Sequence, residues 1–450
     1  MDTTMPENAS RVSEDIEVAH DTGLPSEGKH PDSSNDHNKT SRKVLDKYQR
    51  YVGDPPDGGA KAWSVILGSS LTAFASFGYI NTWGLYQDYY EHVLFPDSSP
   101  STIAWIGSVQ YALVFLPGLV TGRLFDLGYF KLPYFSASCF LVICTFLTAE
   151  CKTYWQFFLA QGLGGGLASG ILIGPALGVI CHWFSKRSGF ALGFTAVGSS
   201  LGGTVFPIVG QNLLPLIGFK WTVRVFGFVI PVALGVSNIT IDRRLPPVDA
   251  KGGLFNWAAF RNPAYTVYCL AGMSCFLGLY TVLTYLPTSA NLVGVENGYT
   301  FYLIAIANAS SSVSRISAGW FADRVGPLNV MIPFTAVAGI MSFVWPLATS
   351  QGSLTAVSLI YGFACGTFFS LLVAPVFEMG EVGDVGRRTG MFLTVSTFGV
   401  LTGPPISGAI NGKTGGFKEV GYYAGGVILL SVLLLIVVQH LLLGQLFGKA

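Results

Sequence analysis

Apolar runs of about 20 residues, each closed by a short polar turn, recur twelve times along the chain. In the first half they lie near 63–86, 102–122, 134–150, 155–182, 189–211 and 223–241; in the second, near 264–288, 299–320, 330–349, 353–378, 389–410 and 421–444. A helix rises ~1.5 Å per residue, so a run of this length spans a hydrocarbon core of about 30 Å. The longest internal polar break, 242–262, divides the runs into two groups of six. The pattern therefore predicts an all-α membrane protein with twelve transmembrane helices in two pseudo-symmetric six-helix bundles. Its expected parts are a disordered tail at 1–60, a bundle at 61–241, a central loop at 242–262, a second bundle at 263–445 and a short terminus at 446–450.

Composition agrees with a membrane solvent. Half of the 450 residues are hydrophobic and 11% are charged, against roughly 25% charged in soluble domains. A net charge of +1 gives nothing global for nucleic acid to bind. Six of the seven cysteines lie within or at the ends of apolar runs, without metal-ligand spacing, so neither a metal nor a cofactor is expected. The first 60 residues are rich in Ser, Asp, Glu, Asn and His and cannot form a core. No apolar run follows the first methionine, so the tail is expected to stay in the cytoplasm. With that orientation, 20 of the 26 Lys and Arg residues fall in cytoplasmic segments and four outside, the remaining two being Arg224 and Arg315. By the positive-inside rule both termini are then cytoplasmic.

One short pattern occurs twice at that face, where an apolar run gives way to a turn: Gly122-Arg-Leu-Phe-Asp126 and Gly319-Trp-Phe-Ala-Asp323-Arg324-Val-Gly326. A glycine followed by a carboxylate one helical turn later describes a helix end held closely against a neighbour, and its duplication describes two related halves forming a gate. Glycines 162, 166, 170 and 174 expose one bare face of the fourth run. In the eighth run, Arg315 follows Asn308, Ser311, Ser312 and Ser314. An arginine near a helix centre costs about 2.5–3.5 kcal/mol on insertion scales unless it faces a polar interior, so this helix is expected to line a water-filled cavity. Asn81 plays the same part in the first run. Candidate cargo contacts are thus Arg315, Asn81, Ser311 and Asn308. In the central loop, Leu254, Trp257 and Phe260 suit either a short interfacial helix or an extension of the seventh span.

Several segments together resemble the major facilitator superfamily. They are Pro56-Asp57-Gly58-Gly59 with Ala62-Trp63, Gly122-Arg-Leu-Phe-Asp-Leu-Gly-Tyr-Phe-Lys131, and Gly319 to Gly326. Within it the chain is similar to the monocarboxylate porter family, and Gln87-Asp-Tyr-Tyr90, Gly198-Ser-Ser-Leu-Gly-Gly203 and Gly403-Pro-Pro405 resemble its fungal members. The resemblance implies the major facilitator fold and a central site open alternately to either side. It also implies that Asp126 and Asp323 each stabilise one state at a neighbouring helix N-terminus. The first copy departs from the family pattern, with Leu127 where a basic residue is usual and Lys131 as the nearest cation. The family's proton-coupled acid carriers have a lysine where this chain has Asn81 and an aspartate where it has Ser311, while the arginine is kept as Arg315, so their coupling is not expected to carry over and a cargo larger and less charged than lactate is expected.

The expected function is secondary active transport of a small organic cargo by alternating access: efflux of a fungal secondary metabolite, by a monomer in contact with membrane lipid, with protons as a candidate coupling ion. The plasma membrane is the expected location, with the vacuolar membrane as the alternative. A second reading is proton-linked uptake of a monocarboxylate or a vitamin such as riboflavin. A third, from another class, is a membrane acyltransferase using His92 as base and Asp97 as its orienting carboxylate. No phosphate-binding loop of the Gly-Lys-Ser/Thr type is present, which argues against an ATP-driven pump.

Overall fold

In a membrane the backbone must satisfy its own hydrogen bonds, and helices do so within each segment. The computed structural model describes residues 55–245, 253–295, 297–380, 384–445 and 448, and among these every long element is helical. The expectations for the tail before residue 55, and for most of 446–450, lie outside them. We number the spans α1 (Ala60–Leu94), α2 (Thr102–Asp126), α3 (Lys131–Glu150), α4 (Tyr154–Trp183), α5 (188–217), α6 (219–240) and α7 (Pro263–Leu292). They continue as α8 (Asn297–Val325), α9 (Pro327–Leu347), α10 (Gln351–Glu378), α11 (Val385–Thr414) and α12 (Lys418–Leu443).

Nine helical stretches among the described residues are long and apolar enough to cross a membrane. One of them, Ser188–Thr240, is two spans: its backbone leaves the helical region at Gly218, with φ 73° and ψ 170°, a geometry that glycine reaches without steric cost. The other two spans, α8 and α11, are long enough but more polar: α8 carries Asn308, Ser310, Ser311, Ser312, Ser314 and Arg315, and α11 is rich in Gly, Thr and Ser and holds Pro404 and Pro405. The protein is an integral, multi-pass membrane protein with twelve spans in two bundles of six.

Close helix approach depends on the glycines. A methyl group at Gly162, Gly166, Gly170 or Gly174 would lie 2.2–3.0 Å from atoms of α2 at Ile106, Gln110, Leu113 or Thr121. The bare face of α4 is therefore a seam against α2 within the first bundle. The fifth helix of each bundle packs on the first helix in the same way. Gly198 and Gly202 of α5 meet Ser70 and Gly78 of α1, and Gly399 and Gly403 of α11 meet Met273 and Leu277 of α7.

The central segment is neither a sustained interfacial helix nor part of α7. It forms one 3-10 turn, Ala259–Arg261, and α7 begins afresh at Pro263, capped by the Asn262 side chain. Phe255 and Trp257 stack at 5.2 Å and stay exposed. The turn is held by Asn256, whose amide donates to the Asp384 carboxylate at 2.7 Å.

Candidate functional site

Both carboxylates of the repeated pattern reach into the opposite bundle. At the end of α2, Asp126 accepts hydrogen bonds from the backbone N–H groups of Gly386 (3.1 Å) and Arg387 (2.7 Å), at the start of α11. At the end of α8, Asp323 accepts from Gly189 (2.7 Å) and Phe190 (2.9 Å), at the start of α5. The first turn of a helix offers unsatisfied N–H groups and the positive end of its dipole, so each carboxylate finds a complementary site. The glycines allow the approach. A methyl group at Gly122 would lie 2.1 Å from the Gly386 carbonyl oxygen, and one at Gly319 would lie 2.2 Å from that of Gly189. One turn further in, Gly118 meets Gly390, and Arg315 occupies the matching place against Gly193. The end of the molecule that carries these pairs, which we call the basic end, is closed.

The cations of the pattern sit elsewhere than spacing alone indicates. The Lys131 ammonium donates to the carbonyl oxygens of Asn238, at 3.3 Å, and Ile241, binding the end of α6. The cation beside Asp126 is Arg243, which follows α6: its Nη2 reaches the Asp126 carbonyl at 3.5 Å and its guanidinium lies 4.7 Å from the Phe125 ring centre. Burial lowers the Arg243 pKa from the ordinary guanidinium value, and the Asp126 carboxylate opposes that shift. In the second copy, Arg324 is exposed and stacks on Trp320 at 3.4 Å. Gly326 adopts φ 95° at the start of α9. A further group joins the gate: Asp384 binds Arg387 and lies 3.8 Å from the Arg388 Nε, while Arg388 donates to the Val376 carbonyl at 2.6 Å. The expected start of α11 at 389 fell after all of these residues, which hid them.

Above the closed end lies a cavity of ≈ 190 Å³ lined by both bundles. The first bundle contributes α1, α2, α4 and α5; the second contributes α7, α8, α10 and α11. All four candidate cargo residues line it. Arg315 is buried, 10 residues from the end of α8 and thus about 15 Å from that end. Its guanidinium does not reach back toward the membrane surface. Nε donates to Ser311 Oγ (3.0 Å), and one terminal nitrogen donates to Ser199 Oγ (2.7 Å) and the Ala196 carbonyl (2.8 Å) on α5. The guanidinium carbon is 5.4 Å from the Phe369 ring centre. Among the described residues lining the cavity, Arg315 carries the only charge.

Asn81 sits at a break in α1, after a π-helical stretch (Phe74–Gly78) and before helix resumes at Trp83. Such interruptions free backbone groups where a helix lines a cavity. Tyr111 donates to Asn81 Oδ1 at 3.3 Å, and Asn308 donates to the Gly203 carbonyl at 3.2 Å. Gly203 separates the two asparagines: a methyl group there would lie 3.1 Å from Asn81 and 3.2 Å from Asn308. Ser200 of α5 donates to Ser311 of α8 at 3.3 Å. Arg315, Ser311, Asn308 and Asn81 thus form one polar strip along the seam between the bundles. The spacing did not reveal the cavity's aromatic lining, which includes Phe77, Tyr111, Phe115, Tyr280 and Phe369, because aromatic residues are abundant throughout the spans.

The structure does not form the acyltransferase pair. His92 Nδ1 lies 2.9 Å from the Asp88 carbonyl oxygen and 3.3 Å from its carboxylate, on the exposed end of α1. The i to i+4 spacing of Asp88 and His92 on a helix brings these two together, whereas Asp97 follows in a turn after the helix.

Comparison with known proteins agrees with this architecture. The sequence profile of the Major Facilitator Superfamily matches residues 64–379 and 319–442. The aspyridones efflux protein of Emericella nidulans is 37% identical over 83% of this chain and 77% of its own. The fujikurins efflux protein of Gibberella fujikuroi is 33% identical over 91% of this chain and 89% of its own. Among solved structures, the human organic anion transporter MFSD10 superposes with a TM-score of 0.65 at 17% identity, over 84% of this chain and all of that one. FucP in its outward conformation gives 0.64 at 15%, over 83% and 97%. With its paired bundles, crossed carboxylates and shared central cavity, the chain belongs to the major facilitator superfamily.

Proposed function

We propose that the protein exports a secondary metabolite bearing an acidic group, by alternating access, and that Arg315 receives that group. The observation that carries this reading is the isolation of the Arg315 charge in an aromatic-lined cavity between the bundles. Its partners are neutral: two serine hydroxyls and a carbonyl. A hydrogen bond to an ionised group contributes about 1.5–3 kcal/mol, roughly twice a neutral one, so an anionic cargo gains there what serine cannot supply. The efflux relatives match most of the chain within the same family and support the direction of transport. Asn81, Ser311 and Asn308 then contact the polar rim of the cargo. Proton-linked uptake gains less support, because Ser311 stands where a titratable carboxylate would relay the proton.

In this reading the basic end is cytoplasmic, with both termini on that side, and the protein acts as a monomer in the plasma membrane. The closed basic end makes the state an outward-facing one. Deleting the gene in the producing organism and comparing acidic metabolites in cells and medium tests the proposal. We expect one to accumulate in cells and to be released again on complementation with the parent gene, but not with Arg315→Ala. An unchanged medium profile would refute export, and normal export by Arg315→Ala would move the site elsewhere.

A further inference from the structure

The cavity's aromatic rings cross between the bundles at the level of the polar strip. Tyr111 of α2 and Tyr280 of α7 lie 5.2 Å apart, with their planes at 49°. One turn away, Phe115 of α2 meets Phe276 of α7 at 5.2 Å and 61°. From there the rings continue to the cation: Tyr280 is 5.8 Å from Phe369, on which Arg315 stacks. Each contact between Tyr111 and Tyr280 therefore joins the two bodies that must separate for transport. A pair tilted at 49° is neither a parallel stack nor a perpendicular edge contact, and both of its members line the cavity.

The two hydroxyl groups differ. That of Tyr111 is used by Asn81, whereas that of Tyr280, at the wall of the cavity, has no protein hydrogen bond among the described residues. A rigid planar ring that displaced this contact from the cavity side would meet aromatic rings from both bundles, each such contact adding to simple burial. A flexible or puckered hydrocarbon of equal size would gain burial alone. The cost of ordering also favours the flat ring, since it has fewer rotors to fix on binding.

Resting on the export reading above, we propose that Tyr111 and Tyr280 are specificity residues that select flat, conjugated ring systems as cargo, the ring taking the place of their mutual contact. The ring then becomes the link between the bundles at this level. Cargo occupancy would thereby be sensed by both bodies at once.

The test uses the full-length protein in lipid nanodiscs and two probes of equal charge and carbon skeleton, 2-naphthoate and its saturated counterpart decahydro-2-naphthoate. Binding is measured by calorimetry. We expect naphthoate to bind roughly tenfold more tightly, the equivalent of about two ring contacts. Tyr111→Leu and Tyr280→Leu should each bring the ratio toward one, while Tyr280→Phe should keep it. A parental ratio near one overturns the proposal without any variant, as does failure of the folded parent to bind either probe. A ratio unchanged in both leucine variants also overturns it. Because the assay measures binding only, a protein that discriminates the probes yet exports nothing would refute the export reading and leave this one standing.

Discussion

Replacing Asp126 or Asp323 with asparagine keeps the shape of the side chain and removes its charge. The amide has one oxygen to offer where the carboxylate has two, so its NH₂ group must face a backbone N–H. At the first copy, either the Gly386 or the Arg387 amide loses its acceptor; at the second, that of Gly189 or Phe190 does. An unsatisfied donor of this kind costs about 1–3 kcal/mol, and losing the charge at a helix N-terminus costs a further ~0.5–1 kcal/mol. The closed basic end should therefore be weakened by about 1.5–4 kcal/mol, roughly a 12- to 700-fold change in the closed-to-open equilibrium. Hydrogen exchange followed by mass spectrometry can read this directly on peptides covering 384–391 and 187–193. We expect Asp126→Asn and Asp323→Asn to have effects of similar size, since the two carboxylates make the same pair of bonds. We also expect each substitution to speed exchange in both peptides, because the carboxylates lock one joint closure. If each accelerated only its own peptide, they would be separate helix caps and the gate reasoning would be wrong. If Asp126→Asn were silent, the missing basic residue at Leu127 would matter more than the geometry indicates.

Four other outcomes follow. Gly122→Ala should leave the protein folded but lower transport severalfold, because its methyl group would lie 2.1 Å from the Gly386 carbonyl and overpacking of this kind costs about 1–3 kcal/mol; normal transport with unchanged exchange at 386 would contradict this. Arg243→Ala should increase exchange at 386 and 387, while Lys131→Ala should loosen the end of α6, seen as faster exchange near 238–241, and leave the gate amides alone. Arg315→Lys keeps the charge but lacks the planar fork that spans Ser311 and Ser199, so cargo affinity measured in nanodiscs should fall about tenfold or more. His92→Ala should transport normally in the export assay, since its contacts end at Asp88.

The twelve spans were legible because hydrocarbon imposes length and composition on any helix that crosses it. The two bundles were legible because the gap at 242–262 is the longest. Arg315, Asn308, Ser311 and Asn81 stood out because polar atoms are costly in that setting, and the structure brings all four to one cavity. Helix ends were harder to place. Gly386 and Arg387 precede the apolar part of α11, and what Asp126 binds there is main chain, which any residue other than proline provides. Lys131 shows the same limit from the other side: as the first cation after Asp126 it was expected at the gate, but it binds the end of α6, and the chain returning after α6 brings Arg243 beside Asp126. The Tyr111 and Tyr280 pair was hidden because its members are 169 positions apart in a chain with 19 tyrosines, and nothing local distinguishes a ring in a cavity from a ring facing lipid.

Because each bundle carries the carboxylate that completes the other's fifth helix, neither is chemically finished alone. A bundle produced by itself would expose two capless amides and a bare glycine strip, and would offer its own carboxylate no backbone donors. Severed between the bundles and co-expressed, the fragments should recognise one another through these reciprocal ends, so the transporter is expected to reassemble from two chains in one orientation.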